Sequence, residues 1–258
     1  MSNIVSILLP TRKRFDLMLK SVKSLYDKAT FPEKIELLLW FDDDDLESIS
    51  RIKEVEKITL NYQLQIGPRN KGYASLHEFI NSLCKVSTGN YLLLWNDDAL
   101  MMNSGWDEEL TLYDGETICI QMDNNSFPYI FPIISRDIYE VLGHFSLSPY
   151  NDTWIHDVCS PCGIEVYDTD IYAIHDRPTV TGNNDDETFR EGIKSMGYQI
   201  SDESGALSID KIKEAYDNQP CSLRDTYYSD ETQRLIEKDI LKLKKYLKEK
   251  GMPKKLEG

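Results

Sequence analysis

Apolar residues along this chain fall into two patterns, and they alternate. Ile4 to Leu9, Ile35 to Phe41 and Tyr91 to Trp95 are short, nearly continuous apolar runs bounded by turn residues, which suit buried strands of a parallel sheet. Between them, Phe15, Met18, Val22, Leu25 and Ala29 recur at helical spacing, and so do Leu76, Phe79, Ile80 and Leu83. Ile58, Leu60, Tyr62, Leu64 and Ile66 alternate strictly, which predicts a strand with one covered face. A charged helix fits the stretch after Asp45, and Gly67 to Gly72 is a turn-rich loop. Strand and helix thus alternate through four strands. That order predicts an α/β fold with a mainly parallel central sheet, right-handed crossovers and a site along the carboxyl edge.

Two of the predicted strands end in acids. The second runs into Asp42-Asp43-Asp44-Asp45, and the fourth into Asn96-Asp97-Asp98. Carboxylates held together where a strand leaves the core are costly unless a cation sits between them or water reaches them. A divalent-metal site and a solvated strand exit both satisfy that condition. Beyond residue 100 the order loosens. Trp106 to Leu110 fits a short helix, Thr117 to Gln121 and Tyr129 to Ile134 are strand-like, and Ser135 caps a helix ending near Gly143. Asp152 stands at the start of a helix that runs through Val158, and Ile171 to Ile174 is a strand that delivers His175. Residues 178–190 are polar and turn-rich and predict a mobile loop, and Asp230 to Lys250 predicts one amphipathic helix, packed on the domain or on a second copy of the chain.

At 258 residues the chain is long enough for one large α/β domain with a helical appendage. Its net charge of −15 argues against nucleic acid or an anionic membrane as partner, since both need a basic footprint. It does not exclude a small anionic substrate, which a metal and a few placed donors can hold. There is no run of apolar residues long enough to span a bilayer, and the basic residues Arg12 to Arg14 follow the first apolar run rather than precede it, so a soluble cytoplasmic protein is expected. The five cysteines, an odd and scattered set, fit a reducing compartment.

Four pieces in order, spread over roughly residues 3 to 176, give the chain a resemblance to the family 2 glycosyltransferases of GT-A fold. Val5-Ser-Ile-Leu-Leu-Pro-Thr-Arg12 looks like the family's first strand and nucleotide-touching turn, Phe41-Asp42-Asp43 like the second strand, Asn70-Lys-Gly-Tyr-Ala74 like the loop before the central strand, and Asn96-Asp97-Asp98 like the metal-binding Asp-x-Asp. The resemblance implies a GT-A domain over residues 1–200, with a nucleotide-binding half to about 100 and an acceptor half beyond it, followed by a helical extension over 201–258. It implies an inverting transfer of one sugar per event from a nucleoside-diphosphate sugar, by family habit a UDP-sugar, to a glycan or other hydroxyl acceptor. Donor contacts then fall to Pro10, Thr11, Arg12, Asp42, Asp43, Lys71, Gly72, Asn96 and Asp97. Asp98 and His175 hold a divalent cation, manganese rather than magnesium because an imidazole joins the carboxylate. Asp152 is the implied base, with Asp157 as its rival and Trp154 as an apolar wall for a sugar.

The chain departs from the family at Asn96, a neutral residue where the motif opens with an acid, and at Asp44-Asp45, where Gly-Ser is common. The Gln-x-x-Arg-Trp element of membrane-bound processive synthases is absent, in keeping with single additions. Two rivals stay open: a sugar-phosphate nucleotidylyltransferase, although Pro10 to Phe15 lacks the glycine-rich loop it needs, and a catalytically silent sugar-nucleotide or glycan-binding domain. His156, Cys159 and Cys162 read as incidental rather than as a zinc site, Arg69 and Lys71 as phosphate contacts or a solvated turn, and Asp185-Asp186-Glu187 as a lid or a solvent-facing loop.

Overall fold

The computed structural model describes residues 3–196 and 222–251. The first part of the chain runs β1 (Val5–Thr11), α1 (Phe15–Asp27), β2 (Ile35–Asp42), α2 (Leu46–Ser50), β3 (Tyr62–Gly67), α3 (Leu76–Val86) and β4 (Tyr91–Leu94). There follow β5 (Ala99–Met101), α4 (Trp106–Glu109), β6 (Cys119–Gln121), β7 (Asp123–Asn124), β8 (Pro132–Ser135), α5 (Arg136–Leu142), α6 (Asn151–Cys159), β9 (Glu165–Val166), β10 (Tyr172–His175), α7 (Pro178–Thr181) and α8 (Glu187–Ser195). Two further helices, Ser222–Tyr227 and Asp230–Glu249, close the described chain.

The main sheet has seven strands in the order β3-β2-β1-β4-β8-β6-β9, and β3, β2, β1 and β4 are mutually parallel. Only β8 runs against its neighbours. Register sets Thr11 beside Phe41 and Asp42 beside Gly67, so the chain leaves three adjacent strands at one edge. A second sheet, β5-β10-β7, stands beyond that edge. Its antiparallel pairing sets His175 opposite Ala99, the residue after Asp98.

Alternate residues of the buried strands feed two cores, as the period of two requires. Ile7, Leu9, Leu37 and Leu39 pack with α1 on one face, and Leu8, Leu38, Leu92 and Leu94 pack with α3, α5 and α6 on the other. The long C-terminal helix joins the second core through Ile236, Leu243 and Leu247, so its apolar stripe lies on its own domain. Of the predicted extension, residues 201–221 and 252–258 lie outside the described residues, as does Cys221; the four described cysteines are free.

Several local expectations are corrected. The alternating stretch forms a strand only over Tyr62–Gly67; Leu60 is 81% exposed, because β3 is the sheet's edge and nothing covers the residues before it. The strand predicted over Tyr129 to Ile134 begins at Pro132. Residues 178–190 are not a loop throughout: they hold α7 and the start of α8, whose N-cap Asp186 accepts a hydrogen bond from Phe189 N at 2.8 Å. Trp154 is fully buried in the second core and cannot wall a sugar.

Candidate active site

A cavity of about 740 Å³ opens over the carboxyl ends of β1, β2 and β4. Its lining includes Pro10, Thr11, Arg12, Asp42, Lys71, Gly72, Asn96, Asp97, Asp98, Asp152 and His175, so these expected residues meet there, whereas Asp43, Trp154 and Asp157 do not line it. The parallel strands deliver the first group, the small sheet delivers His175, and the start of α6 delivers Asp152.

Acids and cations interlock at its centre. Thr11 Oγ1 donates to Asp97 Oδ2 at 2.6 Å, and His175 Nε2 lies 3.1 Å from Asp98 Oδ1 and 3.4 Å from Asn96 Nδ2. Arg14 Nη1 stands 3.1 Å from Asp97 Oδ1 and 3.6 Å from Asp98 Oδ2. The other side of the same guanidinium grips Asp186 through Nε and Nη2, both at 2.8 Å. Arg14 reaches this place because Lys13 adopts a left-handed turn, φ 54°, with its N–H held by Asp45 at 2.6 Å. The two adjacent acids are pushed apart in proton affinity. Burial, opposed by Arg14 and reinforced by Asp98, lifts Asp97 to about 6. Burial also pushes Asp98 up, but the His175 hydrogen bond and the charges of His175, Arg14 and Arg177 outweigh it and hold Asp98 below its usual range.

At one end, Asp42 is 5% exposed and accepts from Trp40 Nε1 and Arg12 Nη1, each at 3.3 Å; burial is the chief reason its pKa is raised. Trp40 stacks on Phe79, ring centroids 4.7 Å apart, to give a flat apolar wall. Gly67 permits this, since a Cβ there would meet the Trp40 ring at 2.4 Å. Arg12 also pairs with Asp44, and Arg69 with Glu191 of α8 at 2.7 Å. Lys71 is exposed at the rim, and Asp43 is exposed outside the cavity lining.

At the other end, Asp152 is half-buried in the first turn of α6. It is not the helix cap, a place taken by Tyr150, and its Oδ1 accepts from the next residue, Thr153 N at 2.8 Å and Thr153 Oγ1 at 3.4 Å. Burial raises its pKa. Asp157 does not line the cavity and accepts from Tyr227 OH at 2.7 Å. The supposed zinc group is dispersed: His156 Nδ1 bonds Glu165 at 3.0 Å, and Cys159 is a buried thiol against Cys119 whose pKa is pushed up.

Two contributors were not anticipated from sequence, Arg14 and the Trp40–Phe79 wall, and Asp186, read there only as part of a lid or a solvent-facing loop, is tied to Arg14. The run Arg12-Lys13-Arg14 directly after a strand, in a sheet whose neighbouring strands end in acids, is a charge match that points to Arg14. No local signal ties Asp186 to it. The helix α8 straps the β1 turn, with Thr188 Oγ1 donating to Arg12 O at 3.0 Å, and brings Phe189 and Ile193 into the lining.

Among the described residues no group of three or more His, Cys, Asp or Glu side chains could hold a metal. The pair His175 Nε2 and Asp98 Oδ1, at 3.1 Å, nevertheless matches two neighbouring ligands on one ion, since bonds of about 2.1 Å at right angles put their donors about 3 Å apart. Two protein donors suit an ion that draws its remaining ligands from substrate phosphates.

No family model matches the sequence, and no curated protein matches it. Solved structures do match. Residues 1–349 of TarS from S. aureus align with a TM-score of 0.54 at 13% identity over 92% of this chain and 80% of that one, both alone and in complex with UDP. A mannosyltransferase from Pyrobaculum calidifontis, solved with GDP-Man and Mn2+, aligns with a TM-score of 0.54 at 12% identity over 94% of this chain and 74% of that one. The fold is therefore the GT-A fold of nucleotide-sugar glycosyltransferases.

Proposed function

We propose that the protein is an inverting glycosyltransferase that moves one sugar from a UDP-sugar to a hydroxyl acceptor. One observation carries this: a single cavity on a GT-A sheet brings together Asp42 beside an aromatic wall, the Asp98–His175 pair, and Asp152. The wall and Asp42 suit a base and ribose, as Pro10, Thr11 and Arg12 do the adjoining donor groups. Asp98 and His175 would hold a divalent cation, manganese for its tolerance of nitrogen, which when bound neutralises the departing diphosphate. Arg14 and Arg12 add fixed positive charge around the same groups.

Asp152 serves as the base. The acceptor oxygen bonds to the anomeric carbon, the bond to the diphosphate oxygen breaks with its electron pair on that oxygen, and the hydroxyl proton passes to the Asp152 carboxylate. A raised pKa strengthens the carboxylate as a proton acceptor. Attack from the side opposite the leaving group inverts the anomeric centre. Among the described residues the hydrogen bonds to the Asp152 carboxylate come from Thr153 and fall on Oδ1.

Thermal-shift titrations with UDP, GDP, dTDP and CDP, with and without manganese, test the donor site in wild type and Asp98→Ala. Binding to the folded state alone raises the melting temperature by mass action. A manganese-dependent shift with UDP, lost in Asp98→Ala, is the expected result. Absence of a shift with every nucleotide at millimolar concentration would overturn the donor site.

A further inference from the structure

On the Asp152 side, the cavity mouth continues into a band of aromatic rings that the donor chemistry does not use. Tyr129 lines the cavity and stacks on His156, centroids 4.4 Å apart and rings within 5° of parallel. His156 lies four residues beyond Asp152 in α6, about 6 Å along the helix axis. Tyr167 continues the band: its OH reaches His156 Nδ1 at 3.5 Å and donates to Glu165 at 2.7 Å. On the flank, Tyr150 of the cavity lining packs edge-on against Tyr227, and Tyr227 against Tyr228. Burial pushes the Tyr129 phenol up, with Asp152, Tyr228 and Asp157 adding to it.

Tyr228 is 62% exposed, Phe127 53% and Tyr167 51%; Phe127 lines the cavity, and the other two join its lining through His156–Tyr129 and Tyr227–Tyr150. We propose that this band is an acceptor subsite and that the acceptor is an uncharged oligosaccharide. The inference rests on the transferase reading above and names the acceptor class it leaves open.

The arrangement discriminates among occupants. A sugar ring has a C–H face that lies on the negative face of an aromatic ring and a rim of hydroxyls that seek acceptors. Here carboxylates sit behind the rings: Glu165, its side chain 5% exposed, is held by Tyr167, His156 and Gln121, and Asp157 by the buried Tyr227. An alkyl chain needs unbroken apolar surface, which the phenol and imidazole edges of Tyr129, Tyr167 and His156 interrupt. A polyanion is repelled by the same acids. The nearby guanidinium of Arg177 already acts on Asp98 and Asp152 and sits 5.8 Å over the Phe127 ring. Because the band extends a helical turn beyond Asp152, it meets sugars behind the one that carries the attacking hydroxyl. The two tyrosine hydroxyls tied to acids fix their rings before any ligand arrives, which lowers the ordering cost of binding.

The test is binding of the full chain, without donor, to an array of immobilised neutral and anionic glycans. Wild type is expected to bind neutral oligosaccharides. Tyr228→Ala and Tyr167→Ala should each weaken that binding about tenfold, whereas Tyr167→Phe, which keeps the ring, should stay within about threefold of wild type. Circular dichroism on each variant confirms folding; both positions are exposed, so the core is untouched. Binding to no glycan, binding confined to anionic glycans, or neutral-glycan binding unchanged in both alanine variants would overturn the proposal. The nucleotide titration fails or succeeds independently, because the array contains no donor.

Discussion

Asp97 is the acid whose ionisation the fold resists, and Asp97→Asn should convert that resistance into a measurable gain. The carboxyl is 7% exposed and is lifted from 3.8 to about 6, chiefly by burial, with Asp98 adding to the lift and Arg14 and Thr11 opposing it. A folded-state pKa above the unfolded one means the folded chain binds this proton more tightly between about pH 4 and 6. Its contribution to stability is therefore greatest below the unfolded pKa, declines as pH rises through that window, and is level above the folded pKa. A lift of that size corresponds to about 3 kcal/mol. The amide cannot ionise, and it still offers an oxygen to the Thr11 hydroxyl, now 2.6 Å away. It loses the charged contact with Arg14 Nη1 at 3.1 Å, but the net lift already contains that attraction, so nothing further is subtracted. The net expectation at pH 7 is a variant more stable than wild type by about 3 kcal/mol. Urea denaturation in the presence of EDTA, at intervals from pH 4 to 8, provides the measurement. Relative to the variant, wild type should lose about 3 kcal/mol between pH 4 and 7. Asp98 is present in both chains and its opposite trend largely cancels. A difference independent of pH, or one that grows in favour of wild type, refutes the electrostatic account of the cluster.

Three further outcomes follow from the geometry. Asp152→Asn should lower kcat by about 10²- to 10⁴-fold while UDP affinity, read by titration calorimetry, stays unchanged. Gly67→Ala places a Cβ 2.4 Å from the Trp40 ring, which is stacked on Phe79 and has nowhere to turn, so stability should drop by about 1–3 kcal/mol in urea and the UDP-induced thermal shift should shrink. Leu243→Ala opens a cavity where a fully buried side chain joins the C-terminal helix to the second core, and the urea midpoint should fall by the equivalent of about 2–5 kcal/mol.

The sheet was legible because its strands are buried on both faces and their apolar runs are short and sharply ended, as in Ile35 to Phe41 and Tyr91 to Trp95. The strand ends were legible for the same reason, and Asp42, Asp97 and Asp98 lie where a parallel order puts them. His175 and Asp152 came instead through resemblance; the physical cause of His175's position, its antiparallel register with Ala99, is a pairing across more than seventy residues that no local pattern encodes. The strands β5, β7 and β9 have two or three residues each, too few for a period to show. The helix α8 was hidden by the polar, turn-forming residues before it, although Asp186 is a sound cap in hindsight. Trp154 was misplaced because a helix start looks exposed in sequence, whereas α6 turns that side chain inward against His144.

The charge balance at the centre of the site argues for a donor that arrives with its own cation. Three carboxylates, Asp97, Asp98 and Asp186, converge on one guanidinium, with the imidazole of His175 on the far side of Asp98. Arg14 is shared among three buried or half-buried acids, with Arg177 acting on Asp98 from further off, and burial together with the neighbouring Asp98 charge keeps the pKa of Asp97 raised. A nucleoside diphosphate alone would worsen the excess by bringing further negative charge against Asp98. A diphosphate with a divalent ion would reverse the sign of the change: Asp98 and His175 would hold the ion, and Arg14, tied to the α8 strap through Asp186, would add positive charge beside the phosphates. Donor and metal should therefore bind with positive coupling, each raising the other's affinity by the same factor, and this reciprocity is measurable by titrating UDP at several manganese concentrations. Equal UDP affinity with and without manganese would mean that Arg14 and Arg12 alone supply the counter-charge.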